Sequence, residues 1–132
     1  MSANVLLDPN DPALRSWVPG ANDPEGDFPI QNLPYGTIGG AVAVRIGDSA
    51  LILRDVLEAG LFVKKLASDE SFQLAVDMAW INGIAELEPS QQAMLRQNLA
   101  YMLAEGSPHR AKLERNVHDF VRATLRRRLG MQ

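Results

Sequence analysis

Residues 28–36 read Phe28-Pro29-Ile30-Gln31-Asn32-Leu33-Pro34-Tyr35-Gly36, and this run restricts the fold more than any other stretch of the chain. Each proline lacks an amide donor and drives the residue before it towards extended geometry, so neither a helix interior nor a central strand accommodates the pair. The run is therefore a rigid extended segment. Its Phe28, Ile30, Leu33 and Tyr35 side chains suit a hydrophobic clamp, and its Gln31 and Asn32 amides suit backbone groups that the prolines leave unpaired.

A chain of 132 residues with 46% hydrophobic and 22% charged residues is sized for one globular domain spanning 1–132 with a real core. No stretch has the length of apolar sequence that a membrane span needs, and residues 1–14 carry acids and prolines where a signal peptide would carry a basic and then an apolar run. Cysteine is absent, which removes disulfides, thiolate metal sites and a thiol nucleophile, and the expected location is cytoplasmic. The net charge of −3 conceals an asymmetry: residues 1–106 carry 6 Lys/Arg against 14 Asp/Glu, and residues 107–132 carry 7 against 2. A basic end can contact nucleic acid or form the solvated face of a terminal helix, and the second reading is preferred.

Turn chemistry at Asp8-Pro9-Asn10-Asp11-Pro12 predicts a short helix over 12–17, capped by Asp11. A loop over 19–27 precedes the proline segment, and residues 36–40 read as a flexible stretch. Ala41 to Ile46 is β-branched and apolar enough for a strand, Gly47-Asp48 is a hairpin turn, and Ser49 to Leu53 is the returning strand. Helices are expected over 54–59, stopped by Gly60; over 69–80, capped by Ser68 or Asp69 and broken by Asn82-Gly83; and over 89–104, with Leu95, Leu99, Met102 and Leu103 as its stripe. Ser107-Pro108 opens a last helix over 107–129. The fold class is α+β, with the C-terminal half mainly helical.

Candidate chemistry is sparse. The two histidines, His109 and His118, would face opposite sides of the last helix and could not pair there. Asp23, Glu25 and Asp27 lack the spacing of a calcium loop and read as an acidic surface loop. Residues 36–40 lack the Gly-Lys-Ser/Thr ending of a phosphate cradle. Arg126, Arg127 and Arg128 suit the C-terminus of a helix, where cations complement the dipole. No residue of the chain is expected to be catalytic or to bind metal.

Three stretches resemble one family. Asp27 through Gly36 resembles the fumarylacetoacetase signature Asp-Phe-Pro-Ile-Gln/His-Asn-Leu-Pro-Tyr/Phe-Gly. Val44-Arg45-Ile46-Gly47-Asp48 followed by Leu51-Ile52-Leu53 resembles that family's Val-Ala-Ile-Gly-Asp and Leu-Asp-Leu, with Ile52 in place of the acid. Asn82, Ile84, Leu87, Pro89, Leu95, Arg96, Leu99 and Leu103 follow the family's Asn-x-Phe-x-x-Leu-x-Pro and later leucines, with Ile84 for the Phe and Gln92 where Trp is common. The resemblance covers about 14–103 and is to the family's N-terminal domain.

That resemblance implies a small SH3-like β-barrel with added helices, structural or regulatory in role, that precedes a larger catalytic domain. It implies that the full enzyme hydrolyses a carbon–carbon bond of 4-fumarylacetoacetate to fumarate and acetoacetate, in tyrosine and phenylalanine breakdown. The divalent cation of that reaction, Mg or Ca, belongs to the catalytic domain, whose opening Asp-Tyr-Thr-Asp-Phe motif is absent here. The expected role of this chain is therefore non-catalytic, with no cofactor of its own. Its expected partners are the catalytic domain and a second copy of the chain, with no nucleic acid and no membrane. Phe28 to Gly36 and the turn at Gly47-Asp48 are its structural or interdomain residues. The competing readings are a free-standing SH3-like interaction module and a nucleic-acid binder that uses the helix at 107–129.

Overall fold

Two glycine turns fold the sheet. Gly39 (φ 56°) and Gly40 (φ 80°) both lie in the left-handed region, where residues without a Cβ form the two-residue hairpin turn at least cost. They join β1 (Tyr35–Ile38) to β2 (Ala41–Ile46), with Ile38 opposite Ala41 and Tyr35 opposite Val44. The expected flexible stretch at 36–40 is thus a strand and a turn. The Gly-Gly pair between two strand-compatible runs was a readable hairpin signal. Gly47-Asp48 then turns β2 into β3 (Ser49–Ile52), as the sequence predicts, with Ile46 opposite Ser49.

The computed structural model describes residues 8–26, 28–78, 81–115 and 117–119. Within them the sheet is an antiparallel meander in the order β1-β2-β3-β4, where β4 is Val117–Asp119. No pairing joins β1 to β4 among the described residues, so the sheet is open there. β2 is apolar except at Arg45, because both of its faces are covered over most of its length. Val42, Val44 and Ile46 are fully buried, and helices α1 (Leu53–Glu58) and α3 (Glu70–Asp77) pack against the strand.

Helix ends follow their capping chemistry. α1 starts at Leu53, one residue earlier than the sequence predicts, and closes as a Schellman motif. The amide of Gly60 donates to the Leu57 carbonyl (3.1 Å) and that of Leu61 to the Val56 carbonyl (3.3 Å). A single-turn helix, α2 (Lys64–Ala67), follows. Asp69 caps α3 by accepting from the Phe72 amide at 3.0 Å. α3 ends at Asp77 with Met78 as its C-cap, short of the expected end at 80, and Asn82 and Gly83 lie inside α4 (Ile81–Ala85), where Gly83 is buried. α5 (Pro89–Leu103) begins with proline in its first turn and a capping box between Glu88 and Gln91. Its predicted stripe of Leu95, Leu99, Met102 and Leu103 is fully buried in a single core that also takes in β2 and α3. The Gln91 amide also donates to the Asp69 carboxylate, which ties the starts of α3 and α5 together.

Two predicted helices are replaced. Residues 12–17 hold only a turn closed on Asp11, whose carbonyl accepts from the Leu14 amide at 3.0 Å. The last carbonyls of α5 lack helical donors, and this segment supplies them. The Ser16 hydroxyl donates to the Leu103 carbonyl and the Trp17 indole to the Met102 carbonyl (3.0 Å), and Ser16 bridges Ala104. In the described part of the helix expected over 107–129, only α6 (Arg110–Leu113) is helical, and residues 117–119 pair as β4 with Ser49 to Leu51. The outer edge of β3 needs a partner, and that need outweighs continued helix. Residues 120–132, with Arg126 to Arg128, lie outside the described residues.

Candidate functional site

The proline segment runs between the N-terminal loops, the β1–β2–β3 meander and α5, and its polar groups hold these parts together. Gln31 is the hub. Its side-chain amide donates to the carbonyls of Asp11 (2.8 Å) and Leu14 (2.9 Å), and its own carbonyl accepts from Nη2 of Arg96 on α5. Because Pro29 and Pro34 have no N–H, the segment meets the sheet through its carbonyls. The Phe28 carbonyl accepts from the Gly47 amide (2.7 Å) and the Pro34 carbonyl from the Arg45 amide (3.0 Å). Asn32 closes a turn on the Pro29 carbonyl at 2.8 Å and leaves its side chain exposed.

The apolar members divide. Ile30 and Leu33 are buried in the core, Phe28 and Pro29 are half-buried, and Tyr35 and Gly36 open β1. The Arg45 guanidinium stacks 3.8 Å from the centroid of the Phe28 ring, a cation–π contact that covers the ring's outer face. Tyr35 is 37% exposed, so its side chain is partly covered and partly open to solvent. Burial of its phenol pushes the pKa up to about 12, against the opposing pull of the Arg96 charge.

The Gly47-Asp48 turn and the proline segment are separate features in the sequence, and the structure joins them. Besides the Gly47–Phe28 bond, the Asp48 amide donates to the Pro19 carbonyl at 3.3 Å. Gly47 has φ 57°, and a Cβ there would lie 2.5 Å from the Pro19 oxygen and 2.6 Å from the Ala21 nitrogen. Gly20 (φ 81°) is constrained mainly by its backbone angle, since the first atom its Cβ would meet is the Asp48 carboxylate at 2.5 Å, a side-chain end that can move. At Gly47 the contact is backbone to backbone and admits no side chain.

The other candidate residues stay apart. The Asp23 carboxylate accepts from the Glu25 amide at 2.9 Å in an exposed turn, and Asp27 lies outside the described residues. His109 precedes α6 with its ring edge-on to Tyr101, centroids 5.7 Å apart, whereas His118 is on β4, so the two histidines do not share a helix. Among the described residues no three His, Asp or Glu side chains are grouped as ligands for a metal ion. None of their helices is long and apolar enough to cross a membrane.

A cleft of about 590 Å³ lies where Tyr35 meets α5, lined among others by Gln92, Arg96 and Gln97. No motif in the sequence groups these residues. Helical spacing does place Gln92, Arg96 and Gln97 near one another on α5, but nothing in the pattern announces that β1 begins beside them.

The signature residues thus secure the domain's own loops to its sheet and helix. Sequence comparison makes the kinship particular. The family described as fumarylacetoacetase N-terminal matches residues 31–128, well over half of the chain, and the chain belongs to that family. The match starts inside the proline segment and continues past Leu103 into the C-terminal stretch. No curated protein matches the chain.

Proposed function

We propose that this chain is the non-catalytic, structural or regulatory N-terminal domain of a fumarylacetoacetase-like enzyme. The enzyme as a whole hydrolyses the carbon–carbon bond of 4-fumarylacetoacetate, releasing fumarate and acetoacetate. The observation that carries this reading is the family match over 31–128, joined to a signature segment whose Gln31, Phe28 and Pro34 groups are engaged inside the domain. A segment bonded in this way positions loops and leaves little polar chemistry for a substrate.

Closure of the open meander into an SH3-like barrel belongs to the same proposal, as do the catalytic domain as principal partner, self-association and a cytoplasmic setting. The cation of the reaction is assigned to the catalytic domain. The described residues here do not group as its ligands.

The test is association with the separately produced catalytic domain of a fumarylacetoacetase, followed by sedimentation velocity. A stoichiometric complex at micromolar concentration supports the proposal. Failure to associate, from a reading frame with no adjoining catalytic segment, would favour a free-standing interaction module.

A further inference from the structure

The cleft beside Tyr35 has a chemical character that the domain's packing role does not use. Arg96 projects from the middle of α5 and is half-buried. One of its guanidinium nitrogens donates to the Gln31 carbonyl, while its Nε is buried with no acceptor. No carboxylate among the described residues forms an ion pair with it. Guanidinium groups removed this far from water are ordinarily paired, because a lone half-buried charge is costly.

We propose that the cleft formed by Tyr35, Arg96, Gln92 and Gln97 is a recognition site for a single carboxylate group.

Five features select that ligand. The guanidinium is held in place by the Gln31 carbonyl, so little side-chain freedom is lost when it meets an anion. The Tyr35 phenol keeps its proton through the physiological range and is available as a donor, since its pKa is pushed up to about 12. The amides of Gln92 and Gln97 line the same cleft, although each also bonds within the domain. Asp8 sits at the rim, where its carboxylate accepts from the Asn10 amide at 2.9 Å. One cation with an acid beside it favours a monoanion over a phosphate dianion. The apolar Pro9 and Ala93 suit a short carbon body behind the carboxylate. The carboxylate can come from a free small acid or from an aspartate or glutamate side chain of a polypeptide packed on this face.

The experiment follows the Arg96 Nε–H signal by NMR in the intact chain. One arm adds sodium butyrate, and a second adds a short end-blocked peptide with one glutamate. A third adds sodium chloride at matched ionic strength. Saturable shifts with butyrate, with the peptide, or with both support the site, and the tighter arm identifies the source. Tyr35→Phe, which keeps the ring, weakens binding about tenfold, the value of one hydrogen bond to a charged group. Asp8→Asn tightens it, and Arg96→Gln abolishes it. Linear shifts, shifts matched by chloride, or affinity unchanged in Tyr35→Phe would overturn the proposal. So would an Asp27→Asn variant whose ligand-free Arg96 signal is shifted from that of the parent chain, since the counter-ion would then be internal.

Discussion

Replacing Gly47 with alanine tests whether the turn and the proline segment are one unit. Gly47 has φ 57°, a conformation that costs a residue with a Cβ about 1–2 kcal/mol. The added carbon would lie 2.5 Å from the Pro19 oxygen and 2.6 Å from the Ala21 nitrogen. That is roughly 1 Å inside ordinary contact, so the loop at Pro19 to Ala21 must retreat. Retreat stretches the Asp48–Pro19 and Gly47–Phe28 hydrogen bonds, each worth about 1 kcal/mol. The expected total is about 3–4 kcal/mol, or a fall in Tm of about 10–15 °C for a domain of this size.

Gly40→Ala is the matched control. Its φ of 80° imposes the same backbone penalty, but nothing lies within 4 Å of its added Cβ. It should lose only about 1–2 kcal/mol. Urea unfolding of both variants, followed by tryptophan fluorescence and circular dichroism, measures the difference. Equal losses would refute the reasoning, because the close approach of the two loops would then contribute nothing.

Gln31→Leu removes the donors to the Asp11 and Leu14 carbonyls and should cost about 1–3 kcal/mol in the same urea assay; an unchanged midpoint would show that Gln31 is not the hub. Because burial raises the Tyr35 pKa from 10.0 to about 12, the folded state holds a proton that the unfolded chain releases. The stability from this group is therefore complete below about pH 10 and is lost as pH rises through about 12. An ultraviolet titration should show a late phenol ionisation that disappears in Tyr35→Phe. Leu74 and Met78 are 52% and 68% exposed, one turn apart on and just beyond α3, which supports the proposal of concentration-dependent self-association. Sedimentation across a wide concentration range checks it, and a strictly monomeric profile counts against it.

The parts of the fold legible in the sequence are those fixed by local chemistry. Pro89 opens α5 and Asp69 caps α3, and each works through groups within one turn. Gly47-Asp48 and Gly60 are equally local signals. The errors arose where a distant need decided. Residues 12–17 surrender a helix because the carbonyls of Met102 and Leu103 require donors from far along the chain. At 117–119 the expected helix yields to β4 because the edge of β3 needs a partner. The roles within the proline segment were half visible. That Ile30 and Leu33 would be buried followed from their type, and that Gln31 would bond backbone carbonyls followed from the need to satisfy buried polar groups. Which carbonyls it bonds, and the meeting of Phe28 with Gly47, depend on tertiary contacts that no local pattern encodes. The cleft at Arg96 was illegible for the same reason.

The most direct test of the central claim is fumarate release from 4-fumarylacetoacetate by this chain with Mg or Ca, alone and after addition of a fumarylacetoacetase catalytic domain. The account predicts release at the uncatalysed rate from the chain alone, and catalysis only when the catalytic domain is present. Saturable turnover by the chain alone, lost on chelating the metal, would contradict it.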